Sequence, residues 1–421
     1  MLIFIVFLPN FILFLTKCTQ YATKLQKNFD ICKKNRNFVA GFEQIESRML
    51  IPVLSDKLSG EQKDYFCQHV ALSGDVVILT HQNPDGDAMG SSLAMRHFLH
   101  ALGRKDVTNI VPTSFPDFLA WMPGTDSVIL YDKQPELAER KVRDAALVIC
   151  TDLAEAKRVA GLELALSART KPVLIIDHHL SAVCSEQPWQ IAYPDSASAS
   201  ELVFRAACEY AKRQPDAEEL FARILTPEFA TCIYTGMMTD TGNFSYNSCE
   251  PEMYTIIATL LTTGINKDAI YDKVFNAYSA DRMRLIGYCL YHKMQLFPEY
   301  HAALITLDRK EMYRFNAKSG DMEGIVNMPL QIKDIYYSVF MREDKVPPHQ
   351  KQEAAGADVK AKISFRSQGD RPVNTIARER FRGGGHMNAA GGEFFGSVAK
   401  AAEAFIQTMP NYFRRDEKIE K

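Results

Sequence analysis

From about residue 73, short apolar runs rich in β-branched residues alternate with stretches of helical periodicity. Four of these runs, DVVILT, NIVP, ALVICT and KPVLIID, are largely apolar, which is typical of strands buried on both faces of a parallel sheet. After the first run, residues 89–102 carry apolar side chains at helical spacing, and the pattern ends at Gly103. Strands that alternate with helices predict an α/β domain, in which sites form at the carboxyl ends of the strands.

The pattern changes in the second half of the chain. Residues 255–290 are helical in pattern, and beyond Tyr300 the runs HAALITL, IYYSVFM and VKAKISF predict strands with fewer helices between them. We expect an N-terminal parallel-sheet domain over residues 49–260 and a smaller C-terminal α/β domain over 286–415, joined by a helical linker at 261–285. A chain of 421 residues is long enough for two such domains.

The first 48 residues do not fit this picture. The stretch MLIFIVFLPNFILFL is strongly apolar, but it is short for a spanning helix and Pro9 interrupts it. As an export signal it lacks a basic start and a small-residue cleavage site. A third interpretation is that translation starts at Met49 and that the preceding residues are not part of the protein. The three interpretations, an anchor, an export signal and an upstream artefact, all remain open.

Composition places the rest of the chain among ordinary globular proteins. Hydrophobic residues make up 47% and charged residues 24% of the sequence, and the net charge of -2 argues against a protein that coats DNA. The nine cysteines are scattered, odd in number and contain no CxxC pair. This usage is typical of reduced thiols rather than of disulfides or a cysteine-bound zinc, and it predicts a cytoplasmic protein.

The stretch THQNPDGD directly follows the apolar run VVIL. It places His81, Asp85 and Asp87 within seven positions, and Pro84 and Gly86 bend the chain so that these side chains can converge. One interpretation is a solvated turn whose aspartates cap the next helix. Because the turn leaves a buried strand and combines a histidine with two carboxylates, we favour metal ligation.

Other predicted element ends carry the same residue types. Asp152 ends ALVICTD, Asp177, His178 and His179 end KPVLIIDHH, and Asp240 follows an apolar helical run in a Gly-flanked polar turn. A parallel sheet gathers the carboxyl ends of its strands along one edge, where so many carboxylates would repel one another. Divalent cations would relieve that repulsion, and mixed histidine and aspartate ligands suit Mn²⁺ or a similar ion.

These motifs together resemble the DHH phosphoesterase family. The letters DHH stand at residues 177–179, HQNPDGDAMGSSLA resembles the first motif of the family, Asp152 its second, and TDTGNF its fourth. ISFRS and RGGGHMNAAGGEF are similar to the DHH-associated domain, and the resemblance covers roughly residues 55–410. With EGIVN at 323–327, the chain looks most like the bifunctional nanoRNase (oligoribonuclease)/pAp phosphatase group.

The resemblance implies a set of site residues. It implies that Asp152 bridges two metal ions, that Asp177 orients a histidine and that His179 faces the substrate phosphate. The first ion would be held by His81, Asp85 and Asp152, and the second by Asp87, Asp152, His178 and Asp240.

The C-terminal motifs supply candidate substrate-binding residues. Three glycines precede His386 in FRGGGHMNAAGG, and backbone N–H groups there can approach a phosphate closely, although a simple tight turn explains a glycine run equally well. A guanidinium in SFRS can grip a phosphate with two parallel hydrogen bonds. In the family this domain closes over the cleft, which implies substrate contacts for Ser364, Arg366, Gly384, Gly385 and His386.

The function implied by the resemblance is that of a metal-dependent phosphoesterase. The expected cofactors are two divalent ions, Mn²⁺ with Mg²⁺ or Co²⁺ as alternatives, which activate a water. The expected substrates are short oligoribonucleotides, degraded to mononucleotides, and 3'-phosphoadenosine 5'-phosphate, converted to AMP. The runner-up is a cyclic or linear dinucleotide phosphodiesterase, and a non-catalytic nucleotide sensor is disfavoured because all six metal ligands are present. A homodimer is an option, and no membrane partner is expected unless residues 1–48 are real.

Overall fold

The computed structural model describes residues 51–153, 156–179, 190–318, 320–347 and 350–413. The apolar N-terminal stretch lies outside these residues, so its three interpretations stay predictions. Within the described part of the chain, no helix is both long enough and apolar enough to cross a bilayer.

The first sheet contains six strands, all parallel, in the order β3-β2-β1-β4-β5-β6. The central strands are fully buried because their sequences are continuously apolar, and the predicted parallel sheet is confirmed. The chain reverses its strand order between β1 and β4, which makes the crevice at their carboxyl ends the expected ligand site. The strands are β1 Val76–Leu79, β2 Val107–Val111, β3 Ile129–Leu130, β4 Leu147–Thr151, β5 Val173–Asp177 and β6 Gln190–Ala192.

Helices connect and cover these strands. The helix predicted at 89–102 begins earlier, at Gly86, because Asp85 caps it. It crosses a later helix at close range, since a Cβ on Gly90 would lie 2.9 Å from the Cα of Gly236. The helices of this half are α1 Gly60–Val70, α2 Gly86–Ala101, α3 Pro135–Asp144, α4 Glu163–Ser167, α5 Ala199–Lys212, α6 Ala217–Ile224 and α7 Pro227–Asp240.

Three helices precede the second sheet, in the region where the sequence predicts helical structure. They are α8 Pro251–Leu261, α9 Lys267–Phe275 and α10 Ala280–Tyr288, followed by a π-helical turn at Cys289–Lys293. The predicted domain limits near residues 260 and 285 stay predictions.

The second sheet has the order β11-β12-β10-β9-β8-β7, with β8 and β9 parallel and the other pairs antiparallel. Alternation along β10 places Ala361, Ile363 and Phe365 in a hydrophobic core, and therefore directs Ser364 and Arg366 to the opposite face. The elements are β7 Gln295–Phe297, β8 Ala302–Leu307, α11 Arg309–Arg314, β9 Tyr337–Lys345, β10 Val359–Ser367, α12 Asn374–Arg380, β11 Gly384–Gly385, β12 Ala389–Phe395 and α13 Val398–Thr408.

Candidate metal centre and substrate cleft

The motif HQNPDGD joins the end of β1 to the start of α2. Asp85 is the N-cap of α2, and one of its carboxylate oxygens accepts hydrogen bonds from the backbone N–H groups of Asp87 and Ala88, at 3.1 and 3.0 Å. His81 Nδ1 lies 2.9 Å from the carbonyl oxygen of Gln82, which fixes the ring so that Nε2 faces Asp152. The capping interpretation is therefore correct for Asp85, and the same turn also directs His81 into a buried cluster.

Asp152 lies at the centre of that cluster. It follows β4 with a φ of 52°, a left-handed conformation that aspartate tolerates better than most residues, and it is 2% exposed. Its Oδ2 lies 3.2 Å from His81 Nε2, and its Oδ1 lies 3.3 Å from His179 Nδ1 and 3.8 Å from His178 Nε2. Oδ1 is buried and accepts no hydrogen bond from the described residues, which leaves a carboxylate oxygen without the partner that burial normally requires.

Asp87 is held in place by a neighbouring helix. Its two oxygens accept hydrogen bonds from the backbone N–H groups of Ala199 (2.6 Å) and Ser200 (2.9 Å), the first residues of α5. The positive end of the α5 dipole and these two donors stabilise a carboxylate that is only 1% exposed. Asp87 Oδ2 lies 3.7 Å from His178 Nε2.

His178 connects Asp87 to the end of α7. Its Nδ1 lies 3.3 Å from the carbonyl oxygen of Ser196, and its Nε2 lies 3.4 Å from Asp240 Oδ2. The sequence predicted Asp240 in a turn after a helical run, whereas Asp240 is the last residue of the helix itself. The hydroxyls of Thr239 and Thr241 donate to the carbonyl oxygens of Thr235 and Met237 at this end of the helix.

Asp177 and His179 form the tightest pair in the cluster. His179 Nδ1 lies 2.7 Å from Asp177 Oδ1, and the His179 backbone N–H donates to the same oxygen at 3.0 Å. Burial lowers the pKa of His179, but the hydrogen bond with Asp177 and the charges of Asp152 and Asp177 outweigh it and raise the pKa above its ordinary value. Asp177 thus fixes the ring of His179 and leaves Nε2 as the nitrogen available to a ligand.

The donor set fits metal ions. The ligand atoms of His81, Asp85 and Asp152 lie within 4.8 Å of one another, as do those of Asp87, Asp152 and His178. Burial raises the pKa of Asp152 well above its usual range, and the carboxylates of Asp85 and Asp87 act in the same direction. Burial and the same two neighbours also raise the pKa of Asp240. Carboxylates this close together and this desolvated require compensating positive charge, which divalent cations would supply.

Residues of the second sheet reach this cluster. The ring of His386, between β11 and β12, stacks on His179 with centroids 4.7 Å apart and lies 5.2 Å from His178. Burial and the two neighbouring histidines lower the pKa of His386 to about 3. The guanidinium of Arg366 lies in the fields of Asp240, Glu323 and Asp85, and burial lowers its pKa.

The glycine run has two structural roles. A Cβ on Gly383 would lie 1.8 Å from the carbonyl oxygen of Gly391, so this glycine is required by the close approach of two backbone segments. A Cβ on Gly384 would meet nothing within 4 Å, and Gly385 has a φ of 136°, which favours glycine. Gly384 therefore borders open space next to His386.

A cavity of about 170 Å³ adjoins the cluster. It lies between Asp85 and Asp240 on one side and residues of α9, α10 and the second sheet on the other. Sequence reasoning did not single out most of its lining, because the aromatic residues come from separate segments without a shared motif. Its lining includes Phe118, Tyr246, Phe275, Tyr278, Arg282, Glu323, Asn327 and Arg366.

Comparison with known proteins identifies the family. The model of the DHH family, N-terminal domain, matches residues 75–237. The crystal structure of an exopolyphosphatase-related protein from Bacteroides fragilis is 41% identical, with 85% of this chain and 98% of that chain covered and a TM-score of 0.73. This chain belongs to the DHH family. The family resemblance read from the sequence is therefore confirmed.

Two relatives indicate what other members of the DHH family do. The bifunctional oligoribonuclease and PAP phosphatase NrnA of Thermus thermophilus is 28% identical over 327 residues, which is 76% of this chain and 84% of that protein. The cyclic-di-AMP phosphodiesterase PdeA of Listeria monocytogenes is 22% identical over 356 residues, which is 82% of this chain and 49% of that protein. This chain thus spans most of the first relative and about half of the second.

Proposed function

We propose that this DHH protein is a phosphoesterase that hydrolyses short oligoribonucleotides to mononucleotides and 3'-phosphoadenosine 5'-phosphate to AMP. The observation that carries the proposal is the group of three histidines around the buried Asp152, which the second sheet faces with His386 and Arg366. The name of the Thermus thermophilus relative supports the two substrates.

The proposed cofactors are two divalent ions, Mn²⁺ in preference to Mg²⁺ or Co²⁺. His81, Asp85 and Asp152 would hold one, and Asp87, Asp152, His178 and Asp240 would hold the other. Ions bound there would supply a nucleophilic water at neutral pH and would neutralise charge on the phosphate oxygens. Hard carboxylate and imidazole donors without a cysteine suit these ions.

The remaining residues have roles in binding and proton transfer. His179, oriented by Asp177, is placed to hold a proton for the leaving oxygen. Arg366 would bind phosphate oxygens through its planar guanidinium, and the backbone beside Gly384 can approach them closely because no side chain intervenes. His386, kept neutral by its surroundings, lies against His179 and would exclude water from that side of the cleft.

A cytoplasmic location is proposed from the cysteines. The six cysteines in the described residues are all free thiols, and four of them are buried. Burial raises the pKa of Cys150 to about 12, so this thiol is protonated and unreactive. Free thiols persist in a reducing compartment.

A panel of substrates tests the proposed function. The full chain is assayed with Mn²⁺ on a dinucleotide, a pentanucleotide, 3'-phosphoadenosine 5'-phosphate, cyclic di-AMP and pyrophosphate, and the products are separated by chromatography. We expect mononucleotides from the short RNAs and phosphate from the bisphosphate. Preferential turnover of cyclic di-AMP would contradict the proposal and support the second candidate, a dinucleotide phosphodiesterase, which the Listeria monocytogenes relative favours.

A further inference from the structure

The cavity adjoins the proposed metal-binding cluster, which consists of His81, Asp85, Asp87, Asp152, His178 and Asp240. Neither metal binding nor phosphate binding explains the aromatic residues that line this cavity. We propose that it is a pocket for a single nucleobase of the substrate, with Tyr246 as the surface on which the base stacks. The proposal rests on the proposed function, since it assigns the substrate of that site a base-binding position. Three features of the cavity support it: the packing of Tyr246 against Gly242, the buried guanidinium of Arg282, and the size and polar groups of the cavity.

Tyr246 is built into the turn that follows α7. Gly242 has a φ of 54°, and a Cβ at this position would lie 2.2 Å from Cε1 of the Tyr246 ring. The absence of a side chain therefore allows the ring to lie against the backbone of Gly242. The backbone N–H of Tyr246 donates to the carbonyl oxygen of Thr241 at 3.2 Å, which holds the turn. Tyr246 is nevertheless 51% exposed, so a large part of the aromatic surface remains open.

Arg282 provides a fixed positive charge at the same cavity. Its guanidinium carbon lies 3.6 Å from the centroid of Tyr278 and 5.8 Å from that of Phe118, and Nη2 donates to the carbonyl oxygen of Glu323 at 3.0 Å. The residue is 5% exposed, and its Nε has no hydrogen-bond partner among the described residues. The guanidinium is therefore fixed against Tyr278 and supplies a positive charge at the wall of the cavity, which favours an anionic ligand such as a nucleotide.

The size and edges of the cavity fit one base. Pockets for drug-sized ligands are about 300–1,000 Å³, so a cavity of about 170 Å³ accommodates a single ring system rather than a dinucleotide. The side chains of Glu323 and Asn327 line it and can exchange hydrogen bonds with the edge of a base, while stacking on an aromatic ring tolerates every base. Asp85, Asp240 and Arg366 also line the cavity, so a base bound there would place its phosphate near the metal-binding cluster.

Two ligands that differ only in the base test the proposal. The full chain is titrated calorimetrically, in Mn²⁺-containing buffer, with AMP and with ribose 5-phosphate. We expect wild type to bind AMP more tightly. In Tyr246→Leu the affinity for AMP should fall about tenfold, as loss of one base–aromatic stack predicts, while the affinity for ribose 5-phosphate stays the same. Tyr246→Phe retains the ring and should restore the affinity for AMP.

Tyr313→Leu is the matched control, because it makes the same change at a tyrosine that is 89% exposed and outside the cavity. The proposal would be overturned if Tyr246→Leu lost affinity for AMP and for ribose 5-phosphate equally, or if its affinity for AMP did not change. If Tyr246→Leu does not fold, as shown by its thermal unfolding, Phe275→Leu elsewhere in the lining provides the same comparison.

Hydrolysis of a dinucleotide is measured in parallel, because it separates this proposal from the proposed function. If the wild-type protein binds AMP more tightly than ribose 5-phosphate but hydrolyses no oligonucleotide, the base pocket is supported and the proposed function is contradicted. Wild type that hydrolyses dinucleotides but binds the two ligands equally would overturn the base pocket alone.

Discussion

At the scale of single residues, Asp152 combines constraints found at no other position of the cluster. Its backbone is left-handed, its side chain is buried, and its carboxylate lies within 4 Å of His81, His178 and His179. Aspartate and asparagine are among the few non-glycine residues that accept this backbone conformation readily. The position therefore requires both a particular backbone and a charge.

Asp152→Asn separates these two requirements, since it keeps the shape and the backbone preference and removes the charge. We expect turnover to fall by at least about a hundredfold, because removal of even an outer partner of a metal ligand costs about 10–100-fold in metal affinity or activity. The measurement is turnover together with Mn²⁺ binding by calorimetry. Asp132→Asn, at an exposed aspartate, is the control and should behave as wild type. Wild-type Mn²⁺ affinity in Asp152→Asn would contradict the assignment of Asp152 as a shared ligand.

At the scale of elements, the cluster depends on how α2, α5 and α7 pack. Asp87 lies in the first turn of α2, and its carboxylate accepts hydrogen bonds from the first N–H groups of α5. Asp240 is the last residue of α7. Gly236 lies where the three helices meet, since a Cβ there would lie 1.9 Å from the hydroxyl oxygen of Ser200 and 2.9 Å from Asp87 Oδ1. The absence of one side chain on α7 thus sets the position of a carboxylate on α2.

Gly236→Ala should push α7 away from α2 and α5 and displace Asp87. We expect a loss of about 1–3 kcal/mol in the free energy of unfolding, as for overpacking of a well-packed interior, and at least about a tenfold loss of turnover. Denaturant unfolding and turnover are measured on the same preparation. The control is Gly287→Ala in α10, where a Cβ would meet nothing within 4 Å; helix propensity there predicts a gain of about 0.5–1 kcal/mol. A Gly236→Ala protein as stable and active as wild type would show that the helices can separate without moving Asp87.

The elements also show what the sequence could and could not predict. The apolar runs predicted the parallel strands, and the acidic strand ends predicted a cluster at one edge, because strand direction alone determines where carboxyl ends meet. The role of α5 in binding Asp87 could not be predicted, since its donors are backbone N–H groups that every residue carries. The cavity lined by Tyr246 and Arg282 was missed for a related reason. Its lining residues are separated along the chain and come together only because α9 packs near α7 and α10 packs against the second sheet.

At the scale of the whole molecule, the fold gathers several carboxylates at the carboxyl ends of β1 and β4. In the metal-free protein the pKa values of Asp87, Asp152 and Asp240 are raised, chiefly by burial. Burial lowers the pKa values of His178 and His179, but nearby carboxylates outweigh it and raise both. The ionised carboxylates in the crevice between β1 and β4 are therefore disfavoured in the metal-free fold, and the proposed ions would offset that cost.

Above about pH 7, the stability of the metal-free protein should consequently fall as the pH rises. An aspartate with a raised pKa in the folded state stays protonated where the unfolded chain, at about 3.8, has lost its proton, so the unfolding free energy decreases with pH through that range. A histidine with a raised pKa acts in the same direction, because its contribution is complete below about 6.5 and is lost as the pH rises through the folded-state pKa. Asp85 and Asp177, whose pKa values are lowered, contribute oppositely but complete their change by about pH 5. Burial also lowers the pKa values of His81, His97, His100 and His386, and these groups contribute oppositely until the unfolded chain has lost its histidine protons, at about pH 7.

Mn²⁺ should reverse this trend, because metal ions bind the ionised carboxylates and compete with their protons. At about a hundredfold excess of Mn²⁺ over its dissociation constant, a single site adds about 2.7 kcal/mol to the unfolding free energy, and the increment should grow with pH. Thermal unfolding at several pH values, with Mn²⁺ or with a chelator, measures both effects. Asp152→Asn should show a smaller Mn²⁺ increment and a flatter pH dependence, whereas Asp132→Asn should match wild type. An increment that is the same at every pH would mean that the ions bind away from the buried carboxylates, and the metal-binding cluster would then have to be sought elsewhere on the molecule.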